Sequence, residues 1–166
     1  MTFILIGMAG CGKSCLGKAV SAKLKIKNID VDKVIEKNTN KKLHEIIDKC
    51  GVEEFKKIEE ATLLTMRDEN AIISTGGSAI YYEKAMQYLK SIGKIIYLYV
   101  SLENISARIG DFSKRGIVMR PDQTIQDVYR ERTELYEKYA DITLNCDGND
   151  YEKYEDMLVE EIKKFI

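Results

Sequence analysis

Phe3-Ile-Leu-Ile6 runs straight into Gly7-Met-Ala-Gly10-Cys11-Gly12-Lys13-Ser14, and this stretch decides the fold. Four apolar residues without polar alternation read as a short strand buried on both faces. After the loop, Leu16, Val20 and Leu24 recur at helical spacing. The residues between strand and helix follow G-x-x-x-x-G-K-[ST], and each specified position in that pattern has a mechanical reason. The glycines let the backbone wrap a phosphate so that successive N–H groups point inward. The helix that follows adds its positive end. Lys13 supplies a charge between β- and γ-phosphates, and Ser14 offers a hydroxyl to magnesium. The expected nucleotide contacts are therefore Gly10, Cys11, Gly12, Lys13, Ser14 and Cys15, with ATP and Mg²⁺ as cofactors. Lys13 counts as catalytic.

Outward from the loop, the pattern alternates. Ile29 to Val31 reads as a second strand and Ala71 to Ser74 as a third, ending in Gly76-Gly77. Ile95 to Val100 makes a strong fourth strand and Ile142 to Leu144 a last one. Leu43, Ile46 and Ile47 form one helical stripe, and Phe55, Ile58 and Thr62 another. Ala85, Met86 and Leu89 are helical, and Ile125 through Tyr139 follows one long helix. Met157, Leu158 and Ile162 begin a terminal helix face. Alternating strands and helices imply a parallel sheet covered on both faces, with ligands at the carboxyl ends of its strands.

The 166 residues fit one domain, 1–166, and are 45% hydrophobic and 32% charged, a soluble mixture able to bury a core. A net charge of −1 gives no basic field for nucleic acid. No apolar run approaches transmembrane length, and Phe3 to Ile6 is too short for a signal-peptide core, so a cytoplasmic protein is expected. Cys11, Cys15, Cys50 and Cys146 form no C-x-x-C pair, and the single histidine, His44, is distant; a zinc site is not expected. Cys11 lies within the phosphate loop, where a helix N-terminus lowers a thiol's pKa. A redox role is one reading; a small residue replacing serine or threonine is the simpler one.

The loop alone does not separate kinases from GTPases or motor ATPases. No N-K-x-D guanine-reading motif occurs. Asp30-Val-Asp32 ends the second strand, so alternation places both carboxylates on one side of it. One suits magnesium through water. The other suits an acceptor hydroxyl, as base. Arg132 falls on the apolar seam of the long helix beside Val128, Leu135 and Tyr136, where a cation requires an anion. That anion is either a ligand carboxylate or an internal acidic residue.

Over nearly its whole length the chain resembles shikimate kinases. The likeness rests on the phosphate loop, Asp30-Val-Asp32 with Ile35-Glu36, and Gly51 with Phe55 and Glu59. It continues in Ser74-Thr-Gly76-Gly77 and in Arg132-Thr-Glu-Leu135-Tyr136 with Ala140-Asp141. The resemblance implies an α/β P-loop NTPase fold with five parallel strands, helices on both faces and a mobile lid at about 109–123. It implies ATP-dependent phosphorylation of shikimate by a monomer. By resemblance, Asp32 contacts the acceptor and acts as base, and Asp30 joins Ser14 in holding magnesium. Gly76 and Gly77 give backbone contact to the acceptor, Arg132 pairs with its carboxylate, and Arg108 packs on adenine. Arg115 is the expected lid arginine, catalytic and ATP-contacting, with Arg120 as the other candidate.

Three departures from the family pattern fall in or beside the acceptor pocket. The family's glycine–glutamate pair reads Gly51-Val52, its Phe-Arg reads Phe55-Lys56, and its third glycine reads Ser78. Lys56 keeps a charge for the acceptor carboxylate but loses arginine's planar fork, a difference of roughly 1–2 kcal/mol. Weaker shikimate binding follows, or a different hydroxylated acid as acceptor. A nucleotide-binding regulator without catalysis would have no need of the base.

Overall fold

A computed structural model describes residues 1–67, 69–111 and 117–166. Its centre is a five-stranded, wholly parallel sheet in the order β2-β3-β1-β4-β5. The strands are β1 (Thr2–Ile6), β2 (Lys27–Asp30), β3 (Ala71–Ser74), β4 (Gly93–Tyr99) and β5 (Ile142–Asn145). Helices α1 (Lys13–Leu24), α2 (Val31–Thr39), α3 (Leu43–Cys50) and α4 (Val52–Leu63) precede β3. A 3₁₀ turn (Ala79–Tyr81) and α5 (Glu83–Ile92) lead into β4. Then come α6 (Leu102–Ile109) and α7 (Ile125–Tyr139), and α8 (Tyr151–Lys163) follows β5.

β1 is central and its five residues are all buried, as its unbroken apolar run requires. Phe3, Leu5, Ile72, Ile73, Ile95, Ile96 and Leu98 are among the strand residues in the core. Truncating one of them, Leu5 to alanine for instance, leaves a cavity on one face of the sheet and costs about 2–5 kcal/mol.

The register positions the site. Leu5 pairs with Ser74, and Ser74 with Asp30, so β1, β2 and β3 end at one level. The chain therefore leaves the sheet together at Gly7, Val31 and Thr75. Two side chains of the β3 end lock this edge. Thr75 donates its hydroxyl to the Leu5 carbonyl at 2.9 Å, and Ser74 donates to the Lys13 carbonyl at 3.0 Å.

One sequence expectation needs correction. The second strand stops at Asp30, and Val31 already belongs to α2. Asp30 is that helix's N-cap, accepting from the Lys33 N–H at 3.4 Å. Asp32 thus sits in the first turn of a helix, and strand alternation is not what brings the two carboxylates together.

Candidate active site

The loop between β1 and α1 is shaped by its glycines. Gly10 and Gly12 have φ of 81° and 100°, values that a side chain at Cβ disfavours. Gly12 is the N-cap of α1 and offers no side chain to the first turn, which also contains no acidic residue. By contrast, Asp30, Ser101, Thr124 and Asp150 each cap their helices with a side-chain oxygen. The opening N–H groups of α1 are thus left to an anion. Lys13 is buried and folds over the loop, donating from Nζ to the carbonyls of Gly7 at 2.6 Å and Met8 at 2.9 Å. Ser14 and Cys15 are exposed at the helix start. The residues present fit a nucleotide polyphosphate. Cys11 is 1% exposed, which denies it the access a redox thiol needs.

Beside this loop, Asp32 is half-buried and its carboxyl is pushed up to about 6. Burial is the main cause; the negative charge of Asp30 adds to it, Lys13 opposes it, and Glu36 adds a little. Gly76 and Gly77 need glycine for space. A Cβ on Gly76 would lie 2.6 Å from Glu59 Oε1 and 3.3 Å from Asp32 Oδ1. One on Gly77 would lie 3.0 Å from Arg132 Nη1 and 3.2 Å from the Ala9 nitrogen. Gly77 is therefore the point where the phosphate loop meets Arg132. The Tyr136 hydroxyl fixes it by donating to its carbonyl at 2.6 Å.

Arg132 is 2% exposed, on the inner face of α7 with Val128 and Tyr136. Its guanidinium lies over the Tyr81 ring at 5.4 Å and donates from Nη2 to the Val118 carbonyl. Its Nε is buried with no hydrogen-bond partner. Among the described residues no carboxylate forms an ion pair with it. The internal salt bridge is thus not found among the described residues, and the buried guanidinium suits a bound anion.

A cavity of about 580 Å³ opens between α4, the 3₁₀ turn, α7 and residues 118–123. Lys56 lines it with Val52, Tyr81, Tyr82, Val118 and Glu131, and pairs with the exposed Glu53 at 3.2 Å. Arg120 also borders it, two-thirds exposed and 3.7 Å from Asp122. Arg115 lies outside the described residues. Arg108, at the last turn of α6, is tied to the loops around the phosphate site. It donates to the carbonyls of Gly148 at 2.5 Å and Cys146 at 2.9 Å, and its guanidinium lies over Tyr151 at 5.3 Å.

Sequence reasoning gave no role to the side chains that hold this arrangement from behind, although Glu59 and Tyr136 lie among the residues that carry the family resemblance. Tyr136 fixes Gly77, and Tyr81 supports Arg132. Glu59 is a buried carboxylate within the Phe55–Thr62 stripe of α4. A carboxylate recurring at helical spacing on an apolar face was the available signal for it.

A phosphate loop at the end of a central parallel strand, facing a raised-pKa carboxylate and a buried arginine across one glycine, defines a small-molecule kinase of the P-loop class. A family model described as shikimate kinase matches residues 9–165. Shikimate kinase of Thermodesulfovibrio yellowstonii is 34% identical over 164 residues, covering 97% of this chain and 94% of that protein. That of Clostridium botulinum strain Alaska E43 is 35% identical over 163 residues, covering 98% and 94%. Among solved structures, shikimate kinase from Acinetobacter baumannii in complex with shikimate has a TM-score of 0.87 at 27% identity, covering 98% of this chain and 93% of that one. The Aquifex aeolicus enzyme has a TM-score of 0.81 at 28% identity, covering 99% and 98%. The chain belongs to the shikimate kinase family, whose members use ATP as phosphoryl donor.

Proposed function

We propose that this chain transfers the γ-phosphoryl group of ATP to the 3-hydroxyl of shikimate, a step of aromatic amino-acid (chorismate) biosynthesis, as a cytoplasmic monomer. The observation that carries the reading is Arg132: a buried cation, unpaired by any described carboxylate, one glycine away from the phosphate loop. A small carboxylic acid held there presents its hydroxyls toward Asp32.

Residues 10–15 wrap the phosphates, and Lys13 exchanges its bonds to the loop carbonyls for phosphate oxygens. Ser14 and Asp30 are the residues suited to Mg²⁺, which when bound offsets charge between the β- and γ-phosphates. Arg108, as the family resemblance implies, packs on the adenine. Asp32 accepts the proton of the attacking hydroxyl; a base titrating near 6 is charged at neutral pH yet not too weak for the task. Gly76 and Gly77 contact the acceptor through the main chain, Arg132 and Lys56 hold its carboxylate, and Arg115 serves as the lid arginine.

A second reading, a different hydroxylated acid as acceptor, is favoured by one observation: Lys56 is paired with Glu53. A coupled ADP-release assay with shikimate and a panel of polyhydroxy acids separates the two. Shikimate-stimulated turnover that falls about 10²–10⁴-fold in Asp32→Asn supports the first. Turnover with another acid alone would overturn it.

A further inference from the structure

Glu59 is 1% exposed, and phosphoryl transfer assigns it no task. Its polar contacts come from two hydroxyls. Ser78 Oγ lies 2.8 Å from Oε2 and 3.1 Å from Oε1, and Tyr82 donates to Oε2 at 3.0 Å. Both hydroxyls belong to buried residues that flank the 3₁₀ turn Ala79–Tyr81, so the turn fixes their spacing. On its other side Glu59 reaches the acceptor loop. Its Oε1 and the Oδ1 of Asp32 approach the same point on Gly76, where only a hydrogen fits between them.

A carboxylate this deep depends on its donors. Among the described residues no cation forms an ion pair with Glu59. The charged groups facing it are Asp32 and Arg132, both acting at longer range. Lys56 is its i−3 neighbour on α4, close enough for side chains to meet, yet it turns to Glu53. Of the departures from the family pattern, Ser78 therefore meets this carboxylate, while Lys56, three residues before it on α4, does not. An arginine at 56 would lie within reach of Glu59 on the same helix; in this chain the donors are Ser78 and Tyr82.

We propose that Ser78, assisted by Tyr82, is a positioning residue that clamps Glu59 beneath Gly76 and so sets the acceptor loop and Asp32, in place of a donor arm from position 56. The consequence for acceptor binding rests on the shikimate kinase reading above. The clamp itself does not.

Ser78→Gly, Lys56→Arg and the double variant test it by separate KM values for shikimate and ATP. Ser78→Gly raises the shikimate KM about tenfold, the loss of one hydrogen bond to a charged group, and leaves the ATP KM within about twofold. Lys56→Arg recovers most of that loss, and its gain is larger in the Ser78→Gly background than in the parent. An equal gain in both backgrounds overturns the proposal, as does a Ser78→Gly effect shared by both substrates. Carboxyl ¹³C NMR of Glu59 reads the clamp without any acceptor. Removing the Ser78 hydroxyl takes away a donor that favours the charged form, so the Glu59 midpoint rises above its starting value of about 7. An unmoved midpoint overturns the clamp. A shifted midpoint in a protein that does not turn over shikimate supports the clamp and overturns the assignment of the acceptor.

Discussion

On the function proposed above, the loop between β1 and α1 and the pocket lined by residues 118–123 serve opposite ends of one reaction, and they are made of different material. The phosphate loop is main chain: glycine dihedrals, an uncapped helix start and a lysine folded onto carbonyls, all within residues 7–14. The acceptor side is side chain, built from Asp32, Lys56, Glu59, Ser78, Tyr82 and Arg132 on four separate segments. Backbone geometry admits few alternatives, so the donor half keeps its pattern. Side-chain hydrogen bonds can be supplied from more than one direction, and the departures in this chain gather in the acceptor half.

Substitutions in the two halves should separate kinetically. After Asp32→Asn, the largest effect is expected for Lys13→Met, which removes the buried cation of the phosphate loop. It should lower kcat by about 10²–10³ with shikimate affinity retained, measured by ADP release and by equilibrium binding of shikimate. Arg132→Lys should do the reverse. Losing the fork on a buried carboxylate site costs about 2–3 kcal/mol, a rise of roughly 30- to 150-fold in shikimate KM at unchanged ATP KM.

The pH profile comes next. Asp32 must be charged to act as base, so kcat/KM, which reports the free enzyme, should fall as pH drops through about 6. Asp30→Asn removes a like charge that raises this carboxyl, so the midpoint of the normalised profile should move down. A midpoint that stays or rises would separate Asp32 from the profile. The smallest change is expected for Lys56→Arg in the otherwise unaltered chain, a fall of about threefold in shikimate KM, because Ser78 already satisfies Glu59.

The donor half was legible because its signals are local. An unbroken apolar run, a loop motif and a 3.6 period located β1 and α1, and the limits read for β3 and for the long helix match Ala71–Ser74 and Ile125–Tyr139. Asp30-Val-Asp32 was misplaced for a local reason too. An aspartate at a strand end is also a good N-cap, and the Asp30 carboxylate accepting from Lys33 starts a helix that alternation does not foresee. The acceptor half was legible only as far as the family resemblance reached. Contacts between residues 59, 78 and 82, or between Arg132 and Tyr81, join segments with no shared periodicity, and no pattern along the chain encodes them.

The uncapped start of α1 has a consequence beyond chemistry. A protein that leaves donors of its central helix for a bound anion ties its own persistence to the supply of that anion. Nucleotide at a hundred times its Kd would add about 2.7 kcal/mol against unfolding, so starvation for nucleotide would expose the chain to proteases that a well-fed cell keeps away from it.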